Sequence, residues 1–221
     1  MTRPMDEPRA PAVVTALWRE TPGLSGARLR VPAEVAAAHR RPGQILVLHP
    51  GHGEPVFLAL ASPPGDAELE VLVGPAAAAR LELREGSELA VSGPSGPGFP
   101  LEEARGRDLL LFAVGSALAP LRPVVELVRR ARSDFGQVTL HVGAHTAADL
   151  PYARSYPAWD RDRIDVVTSL SRPWVQERFA LDPQPVEDAV AFCAGMPAMM
   201  DAVTDVLVRS GMPAGRIFRN W

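Results

Sequence analysis

The sequence predicts a two-domain protein in which an antiparallel β-barrel precedes a parallel, doubly wound α/β domain. Residues 12 to about 100 contain short apolar runs separated by Pro-Gly and Gly-rich turns, a spacing typical of a small antiparallel barrel. From about residue 107, apolar strands alternate with helical patterns, which indicates a parallel sheet. The polar segment EEARGRD separates the two patterns. We therefore predict a flexible tail over residues 1–11, a barrel over residues 12–103 and an α/β domain over residues 104–221.

The predicted barrel strands are, in order, VVTALW, ARLRV, QILVL, PVFLALAS, LEVLVG and SELAVSG. Two segments with helical character, VPAEVAAAHRR and GPAAAARLEL, interrupt them. The turns contain RRPGQ, HPGHGEP and SPPGD, in which Pro presets one backbone angle and Gly permits a positive φ.

The second half is predicted to contain the strands DLLLFAV, QVTLHVGA, IDVVTSL, DAVAFCAG and RIFRNW. LAPLRPVVELVRRAR and PAMMDAVTDVLVRSG are predicted helices, and DLPYARSYPAW is a short helical or irregular piece. Pro123 implies that the first of these helices begins no earlier than about Pro120. Gly211 follows the second and is expected to end it.

Composition restricts the function classes. A net charge of −3 gives no electrostatic reason to expect nucleic acid or an anionic membrane as a partner. The single cysteine, Cys193, excludes internal disulfides, a four-cysteine iron–sulfur site and a cysteine zinc knuckle within the chain. No apolar run approaches the roughly 20 residues that span a bilayer, and MTRPMDEPRAP has no apolar core of a secretory signal. We expect a cytoplasmic protein without a membrane span.

Two turns of small residues follow predicted strands of the α/β domain, VGSALAP and CAGMPAMM. Both would lie at the carboxyl edge of the parallel sheet, where backbone N–H groups at a helix start favour anions and where ligands usually bind. A tight strand–helix turn without a ligand is the alternative for the first. Ordinary helix packing is the alternative for at least one of Met199 and Met200.

The ordered set of segments resembles the ferredoxin–NADP reductase superfamily. RPGQILVLHPGHGEPVFLALASPP, GPSGPGFPL, VGSALAPLRPVVE, VGAHTAADLPY, IDVVTSLSRPW and FCAGMPAMM carry the resemblance, and with the ending RIFRNW they are most similar to its short FNR-like fruit-protein branch. The resemblance implies a flavoprotein oxidoreductase with an FAD-binding barrel and an NAD(P)-binding, Rossmann-like domain. NAD(P)H would reduce FAD, and electrons would then pass to a separate acceptor protein or small molecule. Because the cofactor supplies this chemistry, no general acid–base triad is needed.

The flavin signature of the family, Arg-x-Tyr-Ser, falls on VFLA. Its Arg, Tyr and Ser positions are occupied by Val56, Leu58 and Ala59. The pyrophosphate cation, the stacking aromatic and the hydroxyl near the reactive flavin nitrogen are therefore absent. Losing a charge-assisted hydrogen bond of ~1.5–3 kcal/mol would weaken FAD binding by roughly one to two orders of magnitude.

The second flavin motif of the family, Gly-x-Val-Ser/Thr, falls on GPAA. Gly74 is retained, whereas Ala76 and Ala77 replace the Val and the hydroxyl residue. Backbone N–H groups at this turn could still hold a phosphate.

The nucleotide motifs are less altered. The Gly-Thr-Gly-Ile-Ala-Pro motif of the family falls on GSALAP, which supplies the candidate binding residues Gly115, Ser116, Ala117 and Pro120. The Cys-Gly-Pro-Pro-x-Met motif falls on AGMPAM, which supplies Gly195, Met196, Pro197 and Met199. The family's cysteine aligns with Ala194. Cys193 would face the other side of the strand, as a buried small hydrophobe.

Three further candidates come from the resemblance. His145 stands where many relatives have an Arg near the adenosine ribose, and Arg172 is the alternative clamp for a 2′-phosphate or else a solvated loop charge. NADH and NADPH remain alternatives. Trp221 would cover the flavin ring, as a terminal aromatic does in plant-type reductases, or would close the sheet edge.

Two other clusters have simpler interpretations. His49 and His52 lack the third and fourth ligands of a metal site, so no metal is predicted. Arg129, Arg130 and Arg132 form a basic helix end, interpreted as a solvated face with docking of an acidic electron carrier as the weaker alternative.

The sequence thus favours an FAD-dependent NAD(P)H oxidoreductase. The altered flavin motifs also favour a second hypothesis, a non-catalytic nucleotide-binding or regulatory module of the same fold that has lost FAD. A third alternative is a diaphorase-like enzyme that uses free flavin as a substrate.

Overall fold

A computed structural model describes residues 8–220. The chain divides into two compact units, one ending at Gly98 and the other beginning at Phe99. The predicted barrel domain, which ends at residue 103, extends past this point. Phe99 stacks on Phe192 with a centroid distance of 4.9 Å, which joins the segment after Gly98 to the core of the second unit.

The first unit is a six-stranded antiparallel barrel. Its elements are β1 (Ala10–Thr21), β2 (Leu24–Arg30), α1 (Ala33–Ala38), β3 (Ile45–His49), β4 (Val56–Ala59), β5 (Glu68–Val73), α2 (Pro75–Arg80) and β6 (Glu88–Ser95). The strand order is β4-β3-β6-β1-β2-β5. An antiparallel bridge between Leu60 and Val71 joins the two edge strands, and the Ala61 N–H donates to the Glu70 carbonyl at 2.7 Å. This pairing closes the sheet at that point.

Each predicted barrel strand and both helical segments are present. The barrel begins earlier than predicted, because Ala10 pairs with Val91 of β6 and therefore belongs to β1 rather than to the tail. Alternating side chains of the strands, such as Leu46 and Leu48 of β3, fill the interior.

The second unit is a five-stranded parallel sheet with helices. Its strands are β7 (Asp108–Val114), β8 (Val138–Ala144), β9 (Asp165–Leu170), β10 (Ala189–Ala194) and β11 (Ile217–Arg219). Its helices are α3 (Arg122–Arg130), α4 (Tyr156–Arg161), α5 (Val175–Leu181) and α6 (Pro197–Arg209). The strand order is β11-β10-β7-β8-β9. The order reverses between β7 and β10, and the crevice at such a reversal is where ligands bind in this class of sheet.

One helix was not predicted. Helix α5 has only seven residues and follows Pro173, so its pattern is too short to stand out. Its apolar side chains Val175 and Phe179, four positions apart, are buried in the sheet core. The Glu177 carboxylate accepts the Trp174 N–H at 2.9 Å and caps its first turn.

Within residues 8–220, no helix combines the length and the apolar composition that crossing a membrane requires.

Candidate functional site

The turn after β7 leaves part of its backbone uncovered. Gly115 takes a φ of +54°, a conformation that favours glycine, and no atom lies within 4 Å of the place where its Cβ would be. A 3₁₀ turn over Gly115–Leu118 follows, and α3 starts at Arg122 with Pro123 in its first turn. This start agrees with the expectation that the helix begins no earlier than about Pro120. Leu118 and Pro120 are buried, whereas Ser116 is exposed. The turn thus leaves open space over its backbone at the carboxyl edge of the sheet.

The turn after β10 lies beside it. Ala194 and Ala113 are paired in the parallel register of β10 and β7, so Gly195 and Gly115 follow neighbouring strand ends. Pro197 begins α6, and Met196 is 72% exposed in the turn. The structure therefore brings the two predicted nucleotide turns together at the reversal of strand order.

Met199 and Met200 have different environments. A Cβ added to Gly195 would lie 2.9 Å from the Met199 sulfur, so the thioether of Met199 packs over the Gly195 backbone. Met200 is buried in the core, as expected for one of the pair.

The ends of β8 and β9 are tied to each other. Ser171 donates its N–H to the Ala144 carbonyl and its hydroxyl to the His145 carbonyl, both at 2.9 Å. His145 is exposed, and Arg172 has a side chain that is 76% exposed. Both predicted adenosine-side candidates therefore lie at the same sheet edge as the two turns.

Cys193 points away from this edge into the core formed with α5 and α6. Burial raises the pKa of its thiol to about 12, so the thiol stays protonated at neutral pH. The position that aligns with the family's cysteine, Ala194, is also buried. This turn therefore supplies backbone and methionine side chains rather than a reactive thiolate.

On β4, the strand that carries the flavin signature, side chains at the signature positions pack against the barrel core. Val56 is 6% exposed and belongs to the barrel core, and Leu58 packs partly buried against the same core. Ala59 is partly buried as well. The signature positions are thus occupied by side chains that pack the barrel.

Sequence reasoning missed an aromatic on this strand. Phe57 lies between Val56 and Leu58, faces the opposite side of β4 and is 46% exposed. The period of two along a strand was the signal that could have found it, because a residue between two inward-facing residues must point outward.

The second flavin motif lies at the start of α2. Gly74 precedes the helix, with no atom within 4 Å of its Cβ position, Ala76 is exposed, and Ala77 packs against the barrel core. Arg80, the last residue of α2, extends toward the loop between β3 and β4: its Cδ lies 4.0 Å from the place of a Cβ on Gly53. A cation missed in the sequence therefore lies beside the loop that leads into the signature strand.

His49, at the end of β3, and His52, in the loop that follows, have different environments. His49 is buried and forms a 2.8 Å hydrogen bond with the Ser92 hydroxyl, whereas His52 is exposed. Burial, aided by the charge of Arg9, lowers the pKa of His49. In the described part of the chain, no three His, Cys, Asp or Glu side chains are grouped as a metal site would require.

The basic end of α3 is not simply a solvated face, which corrects that interpretation. Arg129 donates to Asp162 at 2.6 Å and to Glu126 at 2.8 Å. Arg132 donates to the carbonyls of Arg163 and Phe135. These guanidinium groups hold loops of the α/β unit together.

A buried histidine was also missed. His141, on β8, is 3% exposed and stacks on Phe112 at a centroid distance of 4.7 Å. Neither ring nitrogen has a hydrogen-bond partner among the described residues. Burial, with a smaller effect of Arg178, lowers its pKa to about 4, so the ring is neutral near pH 7. Trp221 lies outside the described residues.

Solved structures share this architecture over nearly the whole chain. The cytochrome P450 reductase GcoB of Amycolatopsis matches with a TM-score of 0.84 and 24% identity, over 96% of this chain and 69% of that one. A ferredoxin NADP+ reductase from Neisseria gonorrhoeae, solved with bound FAD and NADP, matches with a TM-score of 0.77 and 19% identity, over 96% and 97%. The chain therefore has the fold of these reductases. The predicted fold class is confirmed.

The curated relatives are longer than the chain. The Sulfhydrogenase 1 subunit gamma of Pyrococcus furiosus is 30% identical over 195 residues, which cover 80% of this chain and 66% of that protein. The reductase component of the Propane 2-monooxygenase of Rhodococcus jostii is 28% identical, over 93% of this chain and 61% of its own length. The chain therefore spans somewhat less than two thirds of these relatives. No protein-family model matches it.

Proposed function

We propose that the chain is a flavin-dependent NAD(P)H reductase, which takes electrons from NAD(P)H through FAD and delivers them to a separate acceptor. The observation that carries the proposal is the pair of turns at Gly115 and Gly195, which lie side by side at the reversal of strand order. Backbone N–H groups at the start of a helix or 3₁₀ turn bind pyrophosphate, and the space above Gly115 allows close approach.

The nucleotide path uses backbone more than side chains. Gly115, Ser116 and Ala117 hold the pyrophosphate with N–H groups, and buried Pro120 fixes the turn. Gly195, Met196, Pro197 and Met199 line the nicotinamide side of the same edge. The packing of the Met199 thioether over Gly195 keeps that turn in one shape.

In the barrel, the described residues fit FAD through apolar and backbone contacts. Phe57 offers an exposed ring on the outer side of β4, and Arg80 offers a positive charge beside the Gly53 loop. Gly74, Ala76 and Ala77 contribute the start of α2. The chemistry that FAD supplies when bound is acceptance of a hydride and release of its two electrons.

The acceptor is a separate protein or small molecule. The single cysteine leaves no four-cysteine cluster in this chain to carry electrons onward. Two relatives are named as a subunit or component of a larger enzyme, which supports a protein acceptor.

One observation favours a second candidate. Val56 and Leu58 serve the barrel core, so the strand has kept its packing without the side chains that bind flavin in the family. A non-catalytic nucleotide-binding subunit of the same fold would show this pattern.

The absorption spectrum of the concentrated, purified protein tests the proposal, before and after incubation with FAD and desalting. Flavin bands that survive desalting and bleach on addition of NADH or NADPH are the expected result. A colourless protein that binds a dinucleotide but retains no FAD would favour the subunit. Flavin reduction only with free FAD in excess would favour the diaphorase-like alternative.

A further inference from the structure

The ends of β8 and β9 form one connected surface, which we call the adenosine edge and define by His145, Asp149, Arg172, Trp174 and Glu177. The two Ser171 hydrogen bonds to Ala144 and His145 join the turns. In a doubly wound sheet, a dinucleotide whose pyrophosphate lies after the first strand extends its adenosine toward the ends of the second and third strands. In the proposed function, β7 is that first strand, so this edge receives the adenosine ribose.

Two carboxylates and one guanidinium lie at the adenosine edge. Asp149 accepts both the N–H and the hydroxyl of Thr146, at 3.2 and 2.7 Å, which fixes its carboxylate just after β8. Glu177 accepts the Trp174 N–H through one oxygen and lies 3.8 Å from the Arg172 guanidinium through the other. Arg172 also lies over the Trp174 ring, 5.7 Å from its centroid.

The contacts of Arg172 make it a poor binding partner for a 2′-phosphate. Glu177 lies 3.8 Å from its guanidinium, so a 2′-phosphate bound to Arg172 would have to approach a carboxylate. The same phosphate, with a charge near −2, would lie close to two negative groups. A ribose 2′-hydroxyl, in contrast, can donate to a carboxylate without any charge repulsion.

We propose that the adenosine edge selects NADH over NADPH and that Glu177 is the residue that determines this specificity. The proposal rests on the proposed function and goes beyond it, because the motifs alone leave the two cofactors as alternatives. Specificity here comes from a repulsive element as much as from an attractive one.

The expected effect is moderate, because the side chains of Arg172 and Glu177 are 76% and 43% exposed and water screens their interaction. We expect the chain to bind NAD+ on the order of tenfold more tightly than NADP+ in low salt. The ratio should fall as salt is added, since the discrimination is electrostatic.

Calorimetric titration of the whole chain with NAD+ and with NADP+ tests the proposal through binding, without reference to turnover. Glu177→Gln keeps the hydrogen bond to the Trp174 N–H but removes the charge. We expect it to tighten NADP+ binding about threefold to fivefold, the range of a surface ion pair, and to leave NAD+ within about twofold.

Glu187→Gln is the matched control. Glu187 is also exposed but precedes β10, at the opposite edge of the sheet. It should leave both affinities unchanged. Arg178→Gln, which removes the guanidinium next to Glu177, should leave the ratio of the two affinities unchanged as well.

The outcomes separate this proposal from the proposed function. If NADP+ binds as tightly as NAD+ or more tightly, or if Glu177→Gln and Glu187→Gln behave alike, the assignment of specificity is wrong while nucleotide binding stands. If neither dinucleotide binds, the proposed function fails and this inference fails with it.

Discussion

The signature strand of the barrel and the paired turns of the α/β unit differ in which groups would carry the proposed binding chemistry. In the α/β unit, Gly115 and Gly195 present backbone at a sheet edge, and their shape depends on φ values and on small side chains. In the barrel, binding in the family depends on three side chains, and Val56 and Leu58 now pack the core instead. Backbone chemistry is retained as long as the turn folds, whereas side-chain chemistry is lost by single substitutions.

The barrel can keep its fold after side chains that bind a ligand in the family are replaced. The barrel closes through main-chain pairing between Leu60 and Val71, and this closure does not require an arginine or a tyrosine on β4. Fold and ligand chemistry are therefore separable in this unit, and much less so in the α/β unit. The following changes test that contrast, from the largest expected effect to the smallest.

A negative charge on the first turn should abolish dinucleotide binding. Ala117→Asp places a carboxylate where the pyrophosphate would lie, so we expect a loss of at least roughly 100-fold in affinity for NAD+. The fold should survive, because an acidic side chain near the start of a helical turn is favourable. Titration calorimetry measures the loss, and Ala214→Asp, in an exposed 3₁₀ turn before β11, is the control. An unchanged affinity would mean that no dinucleotide crosses this turn.

Side chains should matter more in the barrel. Phe57→Ala removes the exposed ring and Arg80→Gln removes the cation beside the Gly53 loop, and each should weaken FAD binding by about tenfold. Quenching of flavin fluorescence on titration gives the affinity. Arg84→Gln, an exposed arginine just beyond α2, provides the control. Equal affinities for all these variants would contradict the roles proposed for Phe57 and Arg80.

Each unit also contains a buried histidine with a strongly lowered pKa, and both should make folding sensitive to acid. Burial lowers the pKa values of His39 in the barrel and His141 in the sheet to about 4, below the 6.5 of an unfolded chain. The unfolded chain therefore binds protons first. The free energy of unfolding should therefore decrease as the pH is lowered from about 6.5 to 4, by about 3 kcal/mol for each histidine.

His141→Phe tests this expectation in the α/β unit. A phenyl ring keeps the stack on Phe112 and cannot be protonated. Denaturant unfolding, followed by the fluorescence of buried Trp159, should show a gain of about 2–3 kcal/mol at pH 4.5 and little change at pH 7.5. His52→Gln, in an exposed loop, should follow the unmutated chain at both pH values. A gain of the same size at both pH values would assign the effect to packing instead of protonation.

The fold could be predicted from local patterns because turns and apolar runs are local. Pro-Gly turns divided the barrel strands, and alternation of strands and helices indicated the parallel sheet. Helix α5 was not predicted because its seven residues give only one buried apolar pair, Val175 and Phe179. The start of β1 was not predicted because its first residues belong to the strand only through their pairing with β6.

In the candidate site, the two turns could be located from the sequence, whereas contacts between distant segments could not. Small residues after a strand indicated the positions of both turns. The link from Ser171 to His145 joins positions 26 residues apart, and the approach of Arg80 to Gly53 likewise depends on packing between segments. The orientation of Phe57 depends on which face of β4 meets the core, and that becomes known only when the barrel closes.

The smallest effect is expected at Cys193. Its thiol lies in the core with its pKa raised to about 12, so a thiol reagent should not label the folded chain at neutral pH and should label it once denaturant unfolds the α/β unit. Cys193→Ala should cost on the order of 1 kcal/mol in stability and change the affinity for NAD+ by less than about twofold, because the side chain points away from the turn. Labelling kinetics with and without denaturant, followed by titration of the variant, measure both. Rapid labelling of the folded chain would place a reactive thiol at the nicotinamide turn, and backbone geometry would then not be the only chemistry which that turn supplies.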